Sequence, residues 1–141
     1  TPENTELAAW INASGIRDRC HLLGHRDDVS RINAALDIAC SSSYVEGFPN
    51  VIGEAMACGV PCVVTDVGDS ARLVGDTGMV VPPKNSQALA DAWRELIEAG
   101  PDGRSLRGEA ARRRISECFS LRAIAAQYTE LYEEIVAHAP Q

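Results

Sequence analysis

The sequence predicts an α/β fold, a parallel sheet of about four strands flanked by helices, on two observations. Short apolar runs are bounded by glycine, proline and polar residues, as expected for buried strands. Segments with apolar residues three or four positions apart lie between and after these runs, and this spacing is typical of helices. Such alternation favours parallel strands joined by right-handed crossovers. The predicted strands are residues 20–23, 38–41, 62–65 and 79–81.

Two helices are expected in the first part of the chain. The first spans residues 6–14, and core packing explains Trp10 within it. The second is capped by Asp27 or Asp28 and runs to Leu36, with its apolar residues on one face.

A basic pair follows the first predicted strand. His25 and Arg26 would lie just beyond the carboxyl end of residues 20–23, the edge at which open α/β sheets bind ligands. A solvated pair that balances the charges of Asp27 and Asp28 is an equally good interpretation of the same residues.

The chain is organised around residues 41–65. The apolar spacing predicts a helix over residues 51–58, with Asn50 as its N-cap and a glycine and a proline after its end. Glu46 then lies in the loop ahead of the helix. Glu54 lies about one turn inside the helix, on the same face as Asn50.

This arrangement suits a ligand with hydroxyl groups at both ends and phosphate in the middle. The N-terminus of a helix favours phosphate, and an ionised carboxylate accepts hydrogen bonds from hydroxyl groups. A nucleotide sugar has this layout, with ribose, pyrophosphate and hexose in that order. The alternative is that Glu46 is a solvated loop residue and Glu54 a first-turn glutamate favoured by the helix dipole.

Beyond residue 85 the chain is expected to be helical. Ser86 caps one helix, which ends at residues 100–101, and a second spans residues 106–118. The arginines at 112–114 read as a solvated face of that second helix. The last helix starts at the Ser120 cap and carries an apolar stripe that would cover this domain's own sheet or another domain.

The composition is that of an ordinary globular domain, with 45% hydrophobic and 23% charged residues among 141. The net charge of −7 argues against a nucleic-acid partner, because binding to phosphate backbones needs a basic face. No window approaches the ~18 apolar residues of a membrane span. Five cysteines without a CxxC pair are expected to be free, buried thiols of a reducing compartment rather than zinc ligands. They are Cys20, Cys40, Cys58, Cys62 and Cys118.

Several short motifs occur in a fixed order along the chain. They are EGFPN at residues 46–50, EAMA at 54–57, GVP at 59–61, TDVG at 65–68 and GMVVPP at 78–83. From about residue 20 to residue 93, this run resembles the C-terminal domain of retaining glycosyltransferases with the GT-B fold, the group called glycosyl transferases group 1.

The resemblance implies a partial Rossmann-like domain, the C-terminal half of a GT-B enzyme that transfers a hexose from a nucleotide diphosphate sugar to an acceptor hydroxyl with retention. It implies no cofactor and no required metal, because the helix N-terminus and a basic pair outside this chain offset the leaving-group charge. Glu46 would be the catalytic contact to the donor sugar, and Glu54 would bind the ribose. The other implied donor-binding residues are Gly47, Phe48, Asn50, Val51, His25 and Arg26.

The resemblance also implies that parts are missing. The family has two further strands that precede residue 20 in the chain and lie in the sheet between the strands at residues 20–23 and 38–41. It also has an N-terminal acceptor domain, and the sequence contains neither the strands nor this domain. Residues 1–141 are therefore expected to form an incomplete nucleotide-sugar-binding domain: a fragment, or a chain that closes the gap by rearranged pairing or self-association. The acceptor (a sugar, lipid or glycan) and any membrane contact would be bound through the missing parts. Arg72 stands where the family has a glutamate, so its role is unassigned.

Two other functions fit the same sequence. The chain could be the non-catalytic donor-binding subunit of a split transferase, in which case transfer would need a second chain. It could also be a phosphorylase or epimerase built on the GT-B scaffold, because a shared fold does not decide function. A cytoplasmic location is expected, with the inner face of a membrane as an alternative for the full enzyme.

Overall fold

The structure is a computed structural model that describes residues 4–138. Three strands and seven α-helices lie in that range. The strands are β1 (Ala39–Ser41), β2 (Cys62–Thr65) and β3 (Met79–Val81). The helices are α1 (Thr5–Ala13), α2 (Val29–Ala34), α3 (Asn50–Ala57), α4 (Ser70–Val74), α5 (Ser86–Glu98), α6 (Gly100–Arg114) and α7 (Leu121–Ala137).

The sheet is parallel throughout, in the order β1–β2–β3. Ala39 of β1 lies opposite Cys62 of β2, and Val63 lies opposite Met79 of β3. Each connection crosses over through a helix, α3 in the first case and α4 in the second. The predicted α/β class is confirmed, and three of the four predicted strands are present.

The prediction of a strand at residues 20–23 is wrong. Residues 20–23 form neither strand nor helix, and within residues 4–138 β1 pairs with β2 alone. A strand needs a hydrogen-bonding partner, and the strands that the resemblance places between this segment and β1 are not in the chain. The described part of the chain therefore does not close the gap by rearranged pairing. His25 and Arg26 consequently do not follow a strand.

The prediction that Trp10 packs in the core is also wrong. Its side chain is 63% exposed, and α1 contains no buried residue. The physical reason is that residues 20–23 do not form a strand, so α1 has no sheet face on which to pack.

The hydrophobic core lies on both faces of β2, and all four residues of this strand are buried. Cys62 and Val64 pack with side chains of α3, α4 and α6 on one face. Val63 packs with Val81 of β3 and with α5 on the other. A strand that is buried on both faces has a continuous apolar sequence, and this feature predicted β2.

Helix α3 is held against α6 by two glycines. Gly59 follows the C-cap of α3 with a φ of 77°, a left-handed conformation that suits glycine. A Cβ atom on Gly108 of α6 would lie 1.9 Å from the Gly59 carbonyl oxygen. The backbones of the two elements are therefore in direct contact, with no room for a side chain between them.

The C-terminal helices differ from prediction in their boundaries. The N-cap of α5 is Asn85, whose side chain accepts a hydrogen bond from the Ala88 amide, so Ser86 is the first helical residue rather than the cap. Helix α6 starts at Gly100 rather than at residue 106, because Pro101 is tolerated in a first turn. After Arg114 the chain continues as a π-helical segment, Ile115–Phe119.

Helix α7 does not cover the sheet. Ser120 caps it through a bond from the Ala123 amide, as predicted, but the helix contains no buried residue and packs mainly on the π-helical segment. Its apolar stripe, which includes Tyr128, Leu131 and Ile135, is exposed, so the sheet-covering interpretation is wrong. Within residues 4–138, no helix is both long enough and apolar enough to span a bilayer.

The prediction that the arginines at 112–114 form a solvated face is wrong for Arg114, whose side chain binds backbone carbonyls. Its Nε donates to the Leu73 carbonyl at 2.9 Å, and its Nη2 donates to the Arg72 carbonyl at 2.7 Å. It thereby satisfies carbonyl groups at the end of α4, which helices leave without an internal partner. The Arg72 side chain itself is 70% exposed and lies 3.9 Å from Asp69, so it is a surface cation.

The five cysteines are free, but they are not all buried as predicted. Cys62 is buried, Cys20 and Cys58 are half-buried, and Cys40 and Cys118 are exposed. Burial raises the pKa of the Cys62 thiol to about 12. A thiol must be ionised to react, so Cys62 is chemically inert at neutral pH.

We expect iodoacetamide at pH 8 to modify Cys118 and to leave Cys62 unmodified until the protein is unfolded. With a pKa of about 12, only about one Cys62 thiol in 10⁴ is ionised at pH 8, and the fraction increases as the pH rises towards 12. Peptide mass mapping over time would measure both rates. Equal labelling of Cys62 and Cys118 in the folded protein would contradict the buried position of Cys62.

Candidate functional site

The loop from β1 to α3 carries Glu46, and a neighbouring serine holds its carboxylate. The Ser43 hydroxyl donates a hydrogen bond to Glu46 Oε1 at 2.7 Å. Both side chains are half-buried. Glu46 is therefore not the freely solvated loop residue of the alternative interpretation, because a defined donor orients one of its two carboxylate oxygens.

The same serine is anchored from the sheet. The Thr65 hydroxyl, at the carboxyl end of β2, donates to the Ser43 carbonyl at 2.6 Å. The hydroxyl oxygens of Ser41 and Ser43 are 3.2 Å apart. Thr65 is only 4% exposed, so this anchor is part of the interior. The loop that presents Glu46 is thus tied to the ends of two adjacent strands.

A glycine from the next loop lies against the backbone of the Glu46 loop. A Cβ atom on Gly68 would lie 2.3 Å from the Glu46 carbonyl oxygen and 2.5 Å from that of Gly47. Gly68 also has a φ of 53°, which favours glycine. The Asp69 amide donates to the Gly47 carbonyl at 2.9 Å. These contacts explain why the loop between β2 and α4 needs a glycine at this position.

Helix α3 begins one residue earlier than predicted. Pro49 is the N-cap, and Asn50 is the first helical residue, so Asn50 is not the cap. The Asn50 amide donates to the Phe48 carbonyl at 3.0 Å, and the Ile52 amide donates to Pro49. The Val51 amide has no backbone acceptor within residues 4–138. Both amides were predicted to contact the ligand. The Val51 amide is available to bind an anion, whereas the Asn50 amide already donates to the Phe48 carbonyl.

Glu54 lies one turn inside α3, on the same side as Asn50, as predicted. The two residues line a depression of about 320 Å³ together with Phe48, and Glu54 is exposed to solvent. Glu54 is not in the first turn of the helix, which removes the alternative that it is a first-turn glutamate favoured by the dipole.

Phe119 is a site residue that sequence reasoning missed. It lines the depression beside Glu54, and its ring centroid lies 5.9 Å from that of Phe48. Arg114 lies over the same ring, 5.7 Å from its centroid. π-Helical segments such as residues 115–119 are frequent at functional sites, but no local sequence signal connects Phe119 with a loop 70 residues earlier.

His25 and Arg26 lie on an exposed loop, where each is paired with an aspartate. Arg26 forms two hydrogen bonds to Asp28, both at 2.8 Å. These bonds raise the pKa of Arg26 and lower that of Asp28. His25 Nε2 is 3.4 Å from Asp27. Because Asp28 is engaged by Arg26, it makes no side-chain cap to α2, although it occupies the N-cap position. The pairing matches the interpretation as a balanced surface pair, and a base contact by His25 and Arg26 stays a prediction.

A separate cavity of about 340 Å³ lies at the carboxyl ends of the strands. Ser42, Tyr44 and Lys84 line it, with the Lys84 ammonium 5.9 Å from the centre of the Tyr44 ring. Within residues 4–138, no group of three or more histidine, cysteine or acidic side chains is placed to hold a metal ion. Ser42 is among the residues that line the cavity at the strand ends, whereas Ser43 and Glu46 are not.

Comparison with known proteins gives a consistent set of relatives. The family described as Glycosyl transferases group 1 matches residues 1–99. Among curated proteins, N-acetyl-alpha-D-glucosaminyl L-malate synthase of Bacillus anthracis is 33% identical over 137 residues. That match covers 96% of this chain and 36% of the relative.

Two solved structures have a similar fold. Sucrose-phosphate synthase from Thermosynechococcus elongatus matches with a TM-score of 0.83 at 31% identity, over 98% of this chain and 35% of that protein. HepE from Anabaena, in complex with UDP, matches with a TM-score of 0.84 at 31% identity, over 92% of this chain and 36% of HepE. HepE is also known in complex with UDP-glucose. This chain spans about a third of the length of these relatives.

The parallel α/β sheet agrees with these matches. The chain belongs to the glycosyl transferases group 1 family, and its fold is that of the GT-B glycosyltransferases.

Proposed function

We propose that this chain is the donor-binding part of a retaining, metal-independent transferase that moves a hexose from a nucleotide diphosphate sugar to an acceptor hydroxyl. The observation that carries the proposal is the arrangement at the start of α3. An oriented carboxylate (Glu46) precedes the helix, an amide without a backbone acceptor (Val51) lies in its first turn, and an exposed carboxylate (Glu54) follows one turn later.

Each group matches one part of such a donor. The first turn of α3 has the positive end of the helix dipole and favours the pyrophosphate at Val51. Glu54 accepts hydrogen bonds from the ribose hydroxyls, and Glu46 accepts from hydroxyls of the hexose near the anomeric carbon. The amides of Gly47 and Phe48 complete the contacts to sugar and phosphate. The complexes of HepE with UDP and UDP-glucose support a donor of this class.

The charge that develops on the leaving nucleoside diphosphate is stabilised by fixed dipoles in this scheme. The start of α3 supplies amide groups that need no reorganisation during the reaction. The acceptor, a sugar, lipid or glycan, is bound outside the described residues in this proposal. This chain matches only about a third of the length of its relatives. In this proposal, the complete reaction therefore also needs regions that correspond to the rest of those relatives.

We expect Glu54→Ala to weaken the binding of a nucleotide sugar and of its nucleoside diphosphate equally, by about ten- to a hundredfold. The lost interaction with the ribose is charge-assisted, and such an interaction is worth about 1.5–3 kcal/mol in total. Titration calorimetry of the purified protein with UDP-glucose, UDP, GDP-mannose and GDP would measure the four dissociation constants.

The matched control is Glu98→Ala, which removes an exposed glutamate from the far end of α5. It should leave all four dissociation constants unchanged. Unchanged affinity in Glu54→Ala would remove the ribose role. Failure of the unaltered protein to bind any nucleotide sugar would overturn the proposed function itself.

A further inference from the structure

We propose that Ser43 is a positioning residue that fixes the carboxylate of Glu46 for the donor sugar, and that Ser41 and Thr65 support it. This inference rests on the proposed function, because it assigns a role within that donor site. It adds three hydroxyl groups that lie outside the motif EGFPN and do not themselves contact the ligand.

The direction of the hydrogen bonds follows from their chemistry. An ionised carboxylate only accepts, so the single hydroxyl proton of Ser43 is directed to Glu46 Oε1. The 3.2 Å contact between Ser41 and Ser43 must then have Ser41 as the donor. The result is a directed chain from the buried end of β1, through Ser43, to the carboxylate.

The backbone of Ser43 is fixed independently of its side chain. Thr65 donates to the Ser43 carbonyl at 2.6 Å and approaches the Ser41 carbonyl at 3.5 Å. Ser41 and Thr65 are both buried. Hydroxyl donors on rigid strand ends hold a side chain more accurately than a mobile loop would, and small displacements of reacting groups are costly.

In this series of hydrogen bonds, one carboxylate oxygen of Glu46, Oε1, accepts from Ser43. The other oxygen, Oε2, is left to accept from the sugar, and its direction is set because the carboxylate cannot rotate without losing the bond to Ser43. Positioning of Glu46 is therefore expected to affect the hexose and not the nucleotide, which binds further along α3.

The test is a comparison of two ligands in the purified protein. We expect Ser43→Ala to weaken binding of UDP-glucose, or of GDP-mannose if that is the donor, by about tenfold. Binding of the corresponding UDP or GDP should be unchanged. Ser41→Ala should show a smaller loss of the same kind, because Ser41 acts only through Ser43.

The control is Ser42→Ala, an adjacent exposed serine that takes no part in the hydrogen bond to Glu46. It should match the unaltered protein for all ligands. Equal loss of UDP-glucose and UDP affinity in Ser43→Ala would indicate a general disturbance of the loop and would overturn the positioning role, as would no loss for either.

A second measurement does not need a ligand. The crystal structure of Ser43→Ala should show the Glu46 carboxylate displaced or disordered while the backbone of residues 41–50 is unchanged. A carboxylate in its original position would overturn the inference even if the protein binds nucleotide sugars normally. Failure of the unaltered protein to bind either sugar nucleotide would instead refute the donor site and, with it, this role.

Discussion

Glu46→Gln is expected to reduce kcat/KM for sugar transfer by about 10²–10³-fold, which corresponds to about 3–4 kcal/mol of transition-state stabilisation. The substitution keeps the shape of the side chain but removes its charge. A carboxylate beside the anomeric carbon stabilises the positive charge of an oxocarbenium-like transition state, and an amide does not. Initial rates with donor and acceptor at subsaturating concentrations would measure the loss.

Glu98→Gln, an isosteric change at an exposed position on α5, is the control and should retain full activity. Nucleoside diphosphate binding should also be retained in Glu46→Gln, since Glu54 and the start of α3 are intact. A Glu46→Gln protein with normal transfer would show that this carboxylate is not at the reacting centre.

Gly108→Ala is expected to lower the free energy of unfolding by about 3 kcal/mol. The added methyl group would lie 1.9 Å from the Gly59 carbonyl oxygen, so α6 must move away from α3. Overpacking of this kind typically costs about 1–3 kcal/mol, and a contact to backbone cannot be relieved by rotating a side chain. Urea denaturation monitored by circular dichroism would measure it.

Gly53→Ala is expected to change the free energy of unfolding in the opposite direction. Gly53 lies inside α3, and a Cβ atom there would have its nearest neighbour at 3.9 Å, so an alanine fits. It should stabilise the protein by about 0.5–1 kcal/mol, the usual gain when a helical glycine is replaced by alanine. Equal unfolding midpoints for the two variants would contradict the tight α3–α6 contact.

The central part of the molecule could be predicted from the sequence because its signals are local. The apolar run at residues 62–65 can be buried on both faces only as an inner strand, and this is where β2 lies. Glu46 and Glu54 are placed by the length of one loop and the pitch of one helix. Helix α3 was predicted one residue too late at both ends, and its N-cap is Pro49 rather than Asn50.

The features that were missed depend on contacts between distant parts of the chain. Residues 20–23 have the composition of a strand, but a strand exists only beside a partner, and composition does not show whether the partner is present. Trp10 is exposed for the same reason. Phe119 approaches Phe48 because α6 continues as a π-helical segment, and that irregularity has no sequence period of its own.

Gly68 has a consequence for how the site can move. The carbonyl groups of Glu46 and Gly47 leave no room for a Cβ atom at this position, and the Asp69 amide donates to the Gly47 carbonyl, so the two loops are mechanically coupled. A hinge motion that carried Glu46 towards or away from a sugar would have to displace the start of α4 as well, and α4 is itself held at its far end by Arg114. The carboxylate ahead of α3 and the start of α4 therefore belong to one frame, so that a movement of either loop has to carry the other with it.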